Sequence, residues 1–157
     1  MTPIKRLLLG LAVASLSVPA FAQTDATPLP GITVGQGWTH ATSDAGTSVP
    51  GFFTIHNTGL TADTLVSASC PIARRTALLD ASGKTVNAIT IAPGQTVALA
   101  PGGLHLMLDQ NRFQFYPRGL IPCSLDFLGA GEMILYLRVE PANAKAYQSS
   151  HQTTVSD

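Results

Sequence analysis

Apolar and polar residues alternate along most of this chain in short runs, broken roughly every ten residues by glycine, proline and small polar clusters. Side chains on a β-strand point to opposite faces in turn, so this period of two predicts half-buried strands. Ile32-Thr33-Val34 opens the first strand, which runs on to Gly37-Trp38-Thr39-His40, and residues 41–50 read as a loop. Gly51–His56 is a strand with Phe53 and Ile55 on one face and Phe52, Thr54 and His56 on the other; Asn57-Thr58-Gly59 ends it. Asp63–Ser69, closed by Cys70-Pro71, and Arg74–Leu79 follow as strands. Asp80–Lys84 has hairpin-turn chemistry, Val86–Ile91 returns as a strand, and Ala92–Gln95 turns into Thr96–Leu99. Pro101-Gly102-Gly103 leads into a strand carrying His105 and Met107. Residues 110–122 read as a longer connection whose aromatics, Phe113, Phe115 and Tyr116, are expected to anchor it on the core, the alternative being an exposed contact surface. Cys123–Phe127 and Met133–Val139 complete the set. No segment has helical periodicity. The pattern predicts an all-β, single-domain Greek-key β-sandwich or small barrel of seven to nine strands.

The ends read differently. Lys5 and Arg6 precede an apolar run from Leu7 to Val18, and Ala20-Phe21-Ala22 has the small-x-small form of a cleavage site. Residues 1–22 are expected to be a signal peptide, 23–31 an extended leader, 32–140 the folded domain and 141–157 a polar tail. The run from Leu7 is too short to span a bilayer, and no later segment is long and apolar enough to do so. This favours an exported, periplasmic protein with no membrane span after signal cleavage. Only 11% of residues are charged and the formal net charge is zero, so no basic surface for nucleic acid is indicated.

Cys70 and Cys123 are the two cysteines. In an oxidising compartment such a pair favours a disulfide over a thiolate metal site, which would more often show a Cys-x-x-Cys spacing. His105 and Met107 stand two apart in an apolar strand, so they share a face with Cα atoms about 6.6–7 Å apart. An imidazole nitrogen and a thioether sulfur at that spacing suit a soft ion such as Cu(I) far better than Mg²⁺ or Ca²⁺. Read alone, the pair is also compatible with a strand that carries one histidine and one core methionine. There is no Gly-x-Ser-x-Gly elbow, no paired carboxylates and no phosphate-binding glycine loop before a helix. Blue-copper ligand spacing is absent as well. An enzyme is therefore not expected.

Several segments together resemble the PCu(A)C periplasmic copper chaperones. They are Trp38, Gly51–Gly59, Asp63–Val66, Ile91–Gly94, Leu99–Leu108 and Leu125–Phe127. Pro101–Leu108 nearly matches the family's Pro-Gly-Gly-x-His-x-Met signature. The resemblance implies a cupredoxin-like sandwich that binds Cu(I) and transfers it to an acceptor, such as a cytochrome oxidase assembly factor or subunit, or buffers periplasmic copper. It also implies a four-ligand site, of which this sequence keeps His105 and Met107. Leu79 lies nearest the place of the family's first histidine, and no methionine lies between Asp80 and Ile91. Copper binding is therefore expected to be weak unless His40, His56, Met133, His151, the Cys70 and Cys123 thiols if reduced, a partner or a second copy completes the sphere. The alternative is a module that kept the fold, lost the metal and binds something else.

Overall fold

The computed structural model describes residues 31–148. The segments expected to be signal peptide and leader, up to residue 30, and residues 149–157, with His151, lie outside the described residues. Within them the chain forms nine strands and no helix: β1 (Ile32–His40), β2 (Val49–Asn57), β3 (Asp63–Ser69), β4 (Ala73–Leu79), β5 (Ile89–Ile91), β6 (Thr96–Leu99), β7 (His105–Asn111), β8 (Leu120–Phe127) and β9 (Gly131–Glu140). They join in one mixed sheet in the order β4-β7-β2-β1-β9-β8-β3-β5, with β6 beside β2. Only β1 and β9 pair in parallel; the other pairings are antiparallel. The sheet curls around a shared core to which every strand brings at least one buried residue, among them Phe53, Ile55, Leu65, Ile91, Leu106 and Leu137.

The alternation explains the burial. Along β7, Leu106 and Leu108 are fully buried while His105, Met107 and Asp109 are half-buried on the opposite face. Along β8, Ile121, Cys123, Leu125 and Phe127 point inward in turn. Cys70 and Cys123 are joined in a disulfide between residues 53 apart in sequence. In the chain-entropy account, closing a loop of that length stabilises the fold by about 4 kcal/mol.

β2, β7 and β9 each run one to three residues past their expected bounds, β2 starting at Val49 inside the expected loop, and three further differences stand out. The fifth strand is shorter than expected: Asn87 and Ala88 are exposed, while Val86 N–H donates to Leu78 O and Thr85 forms an isolated bridge with Leu79. β8 begins at Leu120, inside the expected connection, because Leu120, Ile121 and Pro122 continue the out-in-out alternation that Cys123 takes up. Of the three loop aromatics only Phe115 anchors the core; Phe113 and Tyr116 are exposed.

β6 and β7 share one edge of β2. β6 pairs with its second half (Phe53–His56) and β7 with its first (Val49–Gly51). The connection between them is Ala100-Pro101-Gly102-Gly103-Leu104. Gly103 N–H donates to Ala100 O at 3.0 Å, with Pro101 and Gly102 between them. Gly102 has φ +79°, where a side chain would be strained. Proline followed by a positive-φ glycine is the residue signature of a type II turn. This turn delivers the chain to His105.

Candidate metal centre

Strand register builds the site. β7 lies between β4 and the start of β2. Met107 faces Ala77 on β4 and Pro50 on β2. His105 faces Leu79 on β4. The intervening Leu106 pairs with Leu78 and Gly51 and points into the core. His105 and Met107 thus occupy one face of the sheet, the face turned away from the core, as the period of two required.

The Pro-Gly-Gly turn also orients the imidazole. His105 Nδ1 lies 2.8 Å from Gly103 O, and because a carbonyl only accepts, Nδ1 carries the proton. The lone pair of the neutral ring is then on Nε2. A hydrogen bond that fixes one ring nitrogen and frees the other is the usual support of a metal-binding histidine.

Asp109 continues the same column beyond Met107 and faces Arg75 on β4. The Arg75 guanidinium pairs with the Asp109 carboxylate, which also accepts from Ser48 Oγ. The Ser48 hydrogen bond first, and Arg75 second, hold the Asp109 carboxyl below the ordinary carboxylate range. A hollow of about 420 Å³ opens over this column, lined by Arg75, Thr76, Ala77, Leu79, Met107 and Asp109.

The other donors weighed from the sequence do not gather here. His40 is on β1, two strands from β7. Its Nε2 lies 2.9 Å from Ala144 O, and its ring stands edge-on to Trp38 and Phe52. His56, at the far end of β2, has Nδ1 2.7 Å from Thr96 Oγ1. Met133 on β9 faces Leu125 and packs against the core. Cys70 and Cys123 are both in the disulfide. Among the described residues no group of three or more His, Cys, Asp or Glu side chains is placed to hold a metal ion. The sequence reading missed the Gly103 hydrogen bond and the register that sets Leu79 directly against His105.

The family described as "Putative lipoprotein LpqE-like" matches residues 32–139. The chain belongs to the LpqE-like family. It is 30% identical over 115 residues to "Putative lipoprotein Lxx21020" of Leifsonia xyli subsp. xyli, a match that covers 68% of each chain. Among solved structures it is similar to the apo PCuAC domain from PmoF1, with TM-score 0.66 and 23% identity over 72% of this chain and 96% of that one. It is also similar to the copper-bound PCuAC domain from PmoF2, with TM-score 0.63 and 24% identity over 72% and 95%. Cu(I)-bound DR1885 of Deinococcus radiodurans gives TM-score 0.61 and 23% identity over 81% and 89%. These likenesses establish that this LpqE-like chain has the PCu(A)C fold, as its sequence resemblance implied.

Proposed function

We propose that this LpqE-like protein is an exported copper-binding protein that holds Cu(I) at His105 and Met107 and passes it to an acceptor protein. The observation that carries the reading is the Nδ1–Gly103 hydrogen bond, which leaves the ring's lone pair on His105 Nε2 on the same half-open sheet face as Met107. That these donors stand in a fold shared with two copper-bound proteins supports it. Two uncharged soft donors suit Cu(I), and the small number of donors suits transfer: an acceptor's ligands can enter one at a time while His105 and Met107 leave. The signal-like residues 1–22 support export to the periplasm, where an acceptor could be a factor or subunit in cytochrome oxidase copper-centre assembly. In the same reading residues 23–31 and 141–157 flank the copper domain as leader and tail.

An anaerobic Cu(I) titration of the purified protein against a competing chelator tests this. Competition is expected from the wild type and is expected to be lost in the His105→Ala, Met107→Ala double variant. Equal behaviour of the two proteins would remove copper from the function. A second reading, a binding module without metal, is favoured by one specific observation: Leu79, an apolar side chain, directly faces His105. The same titration separates the two.

A further inference from the structure

His105 and Met107 offer two soft donors; among the described residues their column carries no third nitrogen or sulfur ligand, only the Asp109 carboxylate already paired with Arg75, and the surface around them indicates how the sphere is filled. The inference rests on the Cu(I) reading above. We propose that two copies of this chain close around one Cu(I), each contributing His105 Nε2 and Met107 Sδ, so that copper bridges a symmetric dimer.

The immediate neighbours cannot ligate. Leu79 faces His105, and Ala77 and Pro50 flank Met107. These side chains are half-buried, and none carries a side-chain polar atom, so a second surface can approach without stripping water from a charge. Covering them adds apolar burial to the metal bonds. β4 ends the sheet order, so the donor column stands only one strand from the sheet's margin.

Charge at the rim is self-complementary. Arg75 and Asp109 lie side by side across β4 and β7 at the end of the column. The patch therefore presents one cation and one anion. Two identical patches meeting about a two-fold axis bring equal numbers of each, without the repulsion that a single-sign patch would create. The missing partner must supply soft, uncharged donors on a neutral, mostly apolar surface. The same patch on a second copy has that chemistry.

The step is ligand association only. Two imidazole nitrogens and two thioether sulfurs each donate a lone pair to Cu(I); no electron is transferred and no bond in either chain breaks. Both cysteines are already joined to each other, so the dimer is not a disulfide exchange product.

Sedimentation velocity and native mass spectrometry, run anaerobically with Cu(I) supplied as its acetonitrile complex, test the proposal. At half an equivalent of copper the expected result is a doubled mass carrying one copper per two chains, reversed by a strong Cu(I) chelator. X-ray absorption should then show nitrogen and sulfur scatterers in equal number, two of each. His105→Ala and Met107→Ala should each abolish the doubling. Leu79→His, which adds a donor within the chain, should shift binding to one copper per monomer. Copper held one per monomer by the wild type, with no doubling at any loading, would overturn the dimer and leave the copper reading intact. Leu79→His dimerising as fully as the wild type would overturn it too. No copper retained in the chelator competition would remove both.

Discussion

Leu79 has more influence on this site than its chemistry suggests. It faces His105 across the β4–β7 ladder, where directly opposed side chains have Cβ atoms about 4.5–5.5 Å apart. A histidine there is within reach of an ion on His105 Nε2. Leu79→His is expected to raise Cu(I) affinity by at least about tenfold, or about 1.4 kcal/mol, in chelator competition. Unchanged affinity would mean that the ion does not sit between β4 and β7. Asp109 allows a second check at this scale. Its folded pKa is depressed, so the stabilisation it gives is present above the unfolded pKa and is lost as pH falls through the lower folded value. Carboxyl-carbon NMR should find Asp109 titrating below the ordinary aspartate range, and Ser48→Ala should move it back upward. The His105–Met107 pair was legible in the sequence because strand alternation is local. Leu79 could be placed near the site only by resemblance, because the register between β4 and β7 joins residues 26 apart (105 minus 79) and no local pattern encodes it.

Among the elements, two connections hold the strands that matter. The 100–104 connection needs Gly102 at φ +79°. Gly102→Val should cost roughly 1–2 kcal/mol, measured by denaturant unfolding, and loosen the Nδ1–Gly103 contact that orients His105. At the opposite hairpin, buried Asp63 accepts from Thr64, Gly129 and Ala130 backbone N–H groups and so ties β3 to the β8–β9 turn. Asp63→Ala leaves those donors without their acceptor and should cost about 1–3 kcal/mol in the same measurement. A loss well below that would show that the donors find other partners. The first of these connections was readable as Pro-Gly-Gly. The second was not, because Asp63 is 66 residues from Gly129 and reads locally only as the start of a strand. The early start of β8 escaped notice because Gly119 and Pro122 look like loop punctuation. Pro122 fits there because its ring points outward, opposite Tyr136.

For the whole molecule, the disulfide is the largest single covalent constraint. Replacing Cys70 and Cys123 together by serine should lower stability by about 4 kcal/mol if the chain-entropy account holds, read as a shift of the unfolding midpoint. The strand pairings are made by backbone hydrogen bonds rather than by this bond, so the circular dichroism of the folded variant should stay β-rich. The bond has a further consequence, in proton stoichiometry. Thiols must lose a proton before they grip a soft metal; thioethers carry none to lose. With both thiols withdrawn, a chain that uses Met107 as its sulfur donor has a sulfur ligand that gives up no proton on loading. Its sulfur side would then release no protons as copper loads, where a two-cysteine carrier would release them.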